Sequence, residues 1–299
     1  MNKVFKLAGL VAAAIVPLYV IDRRQAYKRL EEYRASAFTS EFGKMAYVDE
    51  GQGEVVLISH GIFGGYDQGM VSLQGVVGEG CRKIALSRFG YPGSELPPEP
   101  TPQNQAAVFA ELLDRLNVEK TFVLATSAGG AAAISFALLY PERIKGLILI
   151  SSGVPSGKIT PEQAKPAGPP RALLSDFTIW LSTKFMRPVF GVMFGSKADK
   201  AFFQTMLPIK VRRGGIEADA KLTNLDMDVH YEKYPVEEIK APILVIHAKD
   251  DPVAKFGSIE KFISRTHPET AIFENGGHLL SGHQPEGSTA IKQFISRHA

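Results

Sequence analysis

The sequence is short of the features that would give it a specialised class. It has a single cysteine, Cys81, among 299 residues, which excludes an internal disulfide framework and a cysteine-built metal site. Flanked by Gly80 and a strand-like run, Cys81 reads as a buried bystander. Net charge is only +3, too little for the basic footprint of a nucleic-acid binder, and no DNA- or RNA-binding motif accompanies it. The short run Lys210 to Arg213 reads as a solvated patch. Neither G-x-G-x-x-G nor G-K-[ST] occurs, so a glycine-rich phosphate loop is excluded.

Long apolar runs are reduced to one. Leu7 to Ile21 carries no charge, with Lys3 and Lys6 before it and Asp22-Arg23-Arg24 after it. The run falls short of the ~20 residues that comfortably cross a bilayer, although Lys6 can snorkel and extend it. A cleaved signal needs small residues at the exit, and Tyr19-Val20-Ile21-Asp22 offers none. The reading is an uncleaved membrane anchor within residues 1–36, with a charged helical stalk over 25–34. A cleaved signal followed by export, or a helix packed on the protein itself, are the alternatives. The excess of Lys and Arg after the segment leans towards a cytoplasmic domain.

What is present is ordinary globular chemistry, 45% hydrophobic against 22% charged residues, in a chain long enough to bury a sizeable core unaided. A hairpin is expected over Ala37 to Asp49. Short apolar runs of buried-strand length then recur at Val55 to Ser59, Ile84 to Ser87, Phe122 to Ala125, Leu147 to Ile150, Ile243 to Ile246 and Ala271 to Glu274. Helical patterns lie between them. Thr101-Pro102 supplies an N-cap and first-turn pair, after which Val108, Leu112 and Leu116 recur every four residues. Gly129 to Tyr140 and about Ser288 to Ser296 are further helices. The alternation predicts an α/β fold with a mostly parallel sheet covered on both faces. From Ser152 to about Ala241 it breaks: a proline-rich loop leads into Phe177, Leu181, Phe185 and Phe190 at helical spacing, which reads as a helical insertion over the sheet.

The strongest chemical signal is Ala125-Thr126-Ser127-Ala128-Gly129-Gly130 between a buried strand and a small-residue helix. A serine on so sharp a turn needs small residues two before and two after it, here Ala125 and Gly129. A hydroxyl is a poor nucleophile without a base and an oriented acid behind the base. Downstream, one strand ends in His247-Ala248-Lys249-Asp250-Asp251 and the last ends in Gly276-Gly277-His278. Both positions fall at the carboxyl edge of the sheet with Ser127. His278 is the expected base, ahead of His283 and His247, and the acid is Asp250 or Asp251. The glycine-rich segment His60-Gly61-Ile62-Phe63-Gly64-Gly65 can turn a backbone N–H towards the serine, so the N–H groups of Ile62 and Ala128 are the expected oxyanion hole.

These motifs, with Ser87-Arg88-Phe89-Gly90-Tyr91-Pro92-Gly93-Ser94 and Tyr140-Pro141-Glu142-Arg143-Ile144, resemble the α/β-hydrolase fold superfamily over roughly residues 37 to 297. The resemblance implies an eight-stranded sheet, a core over 37–151 and 242–299, and a helical cap over 152–241 inserted after the sixth strand. It also points to Asp251 as the acid, since Ala248 takes the place of the usual glycine three residues earlier. The implied activity is a serine esterase working through an acyl-enzyme on a small-molecule, apolar or lipid-like ester, with no metal or organic cofactor and no nucleic-acid partner. An amidase, peptidase, thioesterase, C–C hydrolase or perhydrolase on the same three residues, and a non-catalytic binding protein, are the alternatives. Phe63, with Phe177, Trp180, Phe185, Phe190, Phe194, Phe202 and Phe203 of the insertion, is expected to line the acyl pocket.

Overall fold

The computed structural model describes residues 3–186, 188, 191, 194 and 200–299, with side chains outside 3–14, 200 and 201. An eight-stranded open sheet runs in the order β1-β2-β4-β3-β5-β6-β7-β8. β1 (Ser36–Ser40) and β2 (Gly43–Glu50) form an antiparallel hairpin, and β2 pairs antiparallel with β4 (Cys81–Leu86). Every later pairing is parallel: β3 (Glu54–Ser59), β5 (Thr121–Thr126), β6 (Ile144–Ile150), β7 (Ile243–Ala248) and β8 (Glu269–Phe273). β5 and β7 read as near-continuous apolar runs because helices cover both their faces. On one face α3 (Pro102–Arg115), α4 (Gly130–Leu139) and α9 (Phe256–Thr266) pack on Leu57, Val123 and Val245. On the other, α2 (Tyr66–Val76) and α10 (Gln284–His298) pack on Ile58, Leu124 and Ile246.

Thr101 caps α3 by accepting from the Asn104 N–H at 3.1 Å. α10 begins four residues before the expected Ser288 because Pro285 suits a first helical turn. Between β6 and β7 the described residues form helices and loops and no strand: α5 (Asp176–Phe185), α6 (Lys200–Thr205), α7 (Arg213–Ala218) and α8 (Asn224–Val229). Ser175 closes a capping box with Thr178 at the start of α5.

The first helix gives no support to the expected anchor. α1 spans Lys3–Glu32 without a break at Pro17, and among the described residues no helix is long and apolar enough to cross a membrane. The uncharged run is too short, being closed by Lys6 and by Asp22-Arg23-Arg24. The end of the uncharged run and the segment read as a stalk both pack on the insert. Asp22 accepts from the Trp180 indole N–H at 2.8 Å and from Lys184 at 2.7 Å, and Arg23 pairs with Asp176 at 2.8 Å. Arg29 donates to the Gln204 and Leu207 carbonyls at 2.6 and 2.7 Å, and Tyr19 meets Phe177 and Trp180 edge-on.

A second expectation fails at Arg212, placed in a solvated basic patch but fully buried. It pairs with Asp67, also fully buried, at 2.6 and 3.1 Å, and donates to the Gly64 carbonyl. A charge taken from water needs such a fork-to-fork partner. Arg88 and Asp219 form a second buried pair at 2.6 and 2.7 Å, and the Tyr91 and Thr223 hydroxyls donate to the same carboxylate, each at 2.6 Å. Both pairs tie the insert to the core.

Candidate active site

Ser127 ends β5 in a turn with φ at +50°, a left-handed conformation that a non-glycine residue adopts only where its surroundings over-determine it. Those surroundings are specific. Gly129 passes so close to β3 that a Cβ on it would collide with the Ser59 carbonyl. Ser59 in turn donates to the Gly129 carbonyl at 2.8 Å. The Ser127 carbonyl accepts from the Gly153 N–H at 2.9 Å and the Ser152 hydroxyl at 3.1 Å. The turn is therefore held from both sides.

The structure brings Ser127, His278 and Asp251 together. Ser127 Oγ lies 2.9 Å from His278 Nε2, and His278 Nδ1 lies 2.9 Å from Asp251 Oδ2. Asp251 is 3% exposed and His278 7%, so the pair operates away from bulk water. The other Asp251 oxygen accepts from the Val253 and Ala254 N–H groups at 2.8 and 3.0 Å, which fixes the carboxylate plane. Asp250 has a different task. Its exposed carboxylate accepts from the Gly277 N–H at 2.8 Å and the Gly276 N–H at 3.3 Å, holding the glycine turn that carries His278. Sequence reasoning weighed the two aspartates as rivals, and both bear on the same imidazole.

The other histidines lie elsewhere. His247 is buried at the end of β7 with its Nε2–H donated to the Ala254 carbonyl at 2.9 Å, and it comes within 3.7 Å of Asp251. Burial pushes its imidazole below the ordinary value, outweighing the opposite pull of Asp251. His283 stacks on Phe273 at 4.3 Å between ring centroids. His60 is buried and held neutral by burial and by the Arg88 guanidinium. Its Nε2 accepts from the Arg88 N–H at 3.0 Å, leaving Nδ1–H to donate to the Gly61 carbonyl at 2.8 Å. This fixes the loop carrying Ile62 and Phe63. The loop lies against the nucleophile turn: a Cβ built on Gly61 would sit 3.2 Å from Ser127 Cβ.

Ser127 and His278 open onto a cavity of about 240 Å³. Of the aromatic candidates, Phe63, Phe194 and Phe202 line it, and Phe194 stacks beside His278 at 6.1 Å between centroids. Trp180 and Phe185 do not line it. Trp180 is buried against α1, where Asp22 satisfies its indole N–H, and the exposed Phe185 packs on Trp180. Phe177 packs with them. Phe190 lies outside the described residues. Several lining residues escaped the sequence reading, among them Gln68, Ser72 and Val76. Their spacing of four marks one face of α2, a signal that points equally to a core-facing helix.

A family model described as alpha/beta hydrolase fold matches residues 54–282. The chain belongs to the α/β-hydrolase fold family. It is 33% identical over 154 residues to a 2-hydroxy-6-oxononadienedioate/2-hydroxy-6-oxononatrienedioate hydrolase of Burkholderia vietnamiensis, 49% of this chain and 51% of that protein. The chain spans from 16% to 51% of the length of the curated relatives it matches first. In fold it is similar to an esterase from Exiguobacterium antarcticum, with a TM-score of 0.66 and 21% identity over 87% of this chain and 99% of the other. A membrane phospholipase A described as a bacterial virulence factor gives 0.62 and 21%, covering 99% of both chains.

Proposed function

We propose that the protein hydrolyses carboxylic esters of apolar or lipid-like acids through an acyl-enzyme on Ser127. The observation that carries the reading is the 2.9 Å contact between Ser127 Oγ and His278 Nε2, made at the floor of a cavity walled by Phe63, Ile150, Phe194 and Met206. His278 takes the serine proton as Oγ attacks the ester carbonyl. The N–H groups of Ile62 and Ala128 receive the tetrahedral oxyanion, an interaction whose loss typically costs ~3–4 kcal/mol of transition-state stabilisation per donor. His278 then protonates the departing alcohol, and a water, activated by the same imidazole, releases the acid. Asp251 keeps the Nδ1–H tautomer in place and stabilises the imidazolium. The likeness in fold to an esterase and to a phospholipase A is compatible with this substrate class.

The partial relative that hydrolyses a dioate makes C–C bond cleavage the second reading. Against it, the lining described for the cavity contains no Lys or Arg to receive a second carboxylate. A fluorophosphonate probe tests the nucleophile: it should label the wild-type chain and neither Ser127→Ala nor His278→Ala. Equal labelling of all three, or of none, would end the proposal. Rates across p-nitrophenyl acetate to palmitate should then rise and fall with acyl length, whereas flat rates would argue against an apolar acyl pocket.

A further inference from the structure

Several polar groups line the apolar cavity without a part in the hydrolytic steps, among them Gln68, Ser72 and Ser151, and Gln68 is the buried one that can present an amide. Gln68 lines the cavity and is 3% exposed. Its amide orientation follows from its neighbour. The Thr205 hydroxyl donates its only proton to the Phe202 carbonyl at 2.6 Å, so at 3.2 Å from Gln68 it can only accept. Gln68 must therefore turn Nε2 towards Thr205, which leaves Oε1 with no partner among the described residues. A carbonyl oxygen that faces an apolar cavity is disfavoured when an alkyl chain fills that cavity without offering a donor.

We infer that Gln68 is a specificity-determining residue that accepts a hydrogen bond from a hydroxyl group on the substrate, so that the enzyme prefers hydroxylated esters to plain alkyl esters. The inference rests on the ester-hydrolase reading and adds a recognition element to it. Gln68 begins the stripe Gln68, Ser72, Val76 along α2, and the helical rise carries that stripe about 12 Å towards the exposed Gln284 at the cavity's outer end. The oxyanion loop ends at Gly65, where α2 begins, so Gln68 stands in the first turn of α2 beside that loop. A hydroxyl bonded to Gln68 therefore belongs to the part of the substrate near the ester, on either its acyl or its alcohol side.

The full chain, wild-type and as Gln68→Met and Gln68→Leu, should be assayed on methyl decanoate, methyl 3-hydroxydecanoate, methyl 6-hydroxydecanoate and glycerol 1-monodecanoate. For the wild type, kcat/KM on at least one hydroxylated ester should exceed that on methyl decanoate about 5–10-fold, the weight of one neutral hydrogen bond. Preference for the hydroxydecanoates places the hydroxyl on the acyl side, and preference for the glyceride places it on the alcohol side. The ratio should fall towards 1 in both variants, with thermal melting confirming that they are folded. No preference in the wild type, or a preference that survives in both folded variants, overturns the inference. Failure to hydrolyse any of the four would overturn the ester reading instead. In that event calorimetry on Ser127→Ala decides for Gln68: hydroxydecanoic acid or monodecanoyl glycerol binding 5–10-fold more tightly than decanoic acid supports it, and equal affinities overturn it.

Discussion

Replacing Asp251 by Asn tests the proposed division of labour between the two aspartates. Asp251 Oδ1 accepts two backbone N–H groups, from Val253 and Ala254, and only an oxygen can do so. The Asn carbonyl must therefore take that place and its amide N–H₂ must face His278. His278 Nδ1 then has to accept, and the ring proton moves to Nε2, opposite Ser127 Oγ. In that tautomer the imidazole has no lone pair for the serine proton. The expected loss in kcat is ~10⁴-fold, or about 5.5 kcal/mol at 1.36 kcal/mol per decade, with little change in melting temperature because the swap is isosteric. Asp250→Ala removes two hydrogen bonds from an exposed carboxylate, worth ~1–2 kcal/mol after allowing for solvent screening. Even if all of that reaches the position of His278, the loss is roughly 5–30-fold. Steady-state kinetics on p-nitrophenyl butyrate, with melting curves as the control for folding, should show the two variants at least a hundredfold apart. An Asp250→Ala variant as inactive as Asp251→Asn, or an Asp251→Asn variant within tenfold of wild type, would refute this reasoning.

Other consequences can be checked in the same preparations. His60 and His247 are buried with pKa values below the ordinary 6.5, so below pH 6.5 the unfolded chain binds more protons than the native one. Stability should fall with pH there, by up to ~1.4 kcal/mol per pH unit for each histidine. Urea unfolding at pH 7.5 and 5.0 measures the slope, and His247→Gln should reduce it. Arg212→Ala leaves the buried Asp67 carboxylate with only Arg29, 4.0 Å away, and should cost up to ~3–5 kcal/mol, with Arg212→Met/Asp67→Leu costing less; urea melts of the single and double variants decide. Phe194→Ala and Phe202→Ala should lower kcat/KM on decanoyl esters more than on acetyl esters. Trp180→Phe should cost stability and leave that ratio unchanged, and a shift in acyl preference at Trp180 would contradict its placement against α1. Gly129→Ala forces a Cβ into the Ser59 carbonyl and should abolish activity and melt well below wild type.

What the sequence made legible was whatever depends on local pattern. The strands appear as apolar runs, and Ser127 stands out because a strained turn demands small neighbours on both sides. His278 is legible through the glycines that let its loop turn. Residues whose use is decided by distant chain segments were not legible. Arg212 sits in a basic run and looks solvated until Asp67, on α2, buries it. Trp180 has the helical spacing of a pocket residue, but α1 claims it through Asp22. The same contact bears on the first helix: charges that close an apolar run look like a membrane boundary, and here Asp22 and Arg23 are partners for the insert as well. Gln68 shows no motif at all, and the orientation of its amide depends on a threonine far along the chain using its only proton elsewhere.

The two buried ion pairs that tie the insert to the core also constrain how Ser127 is reached. Arg212–Asp67 grips the chain just after the oxyanion loop, and Arg88–Asp219 grips it just before the Tyr91 turn. Swinging the insert away as a rigid lid would break both pairs and their shared hydrogen bonds at once, exchanging fixed partners for water. Amides of residues 209–223 should accordingly exchange with solvent as slowly as those of the central strands.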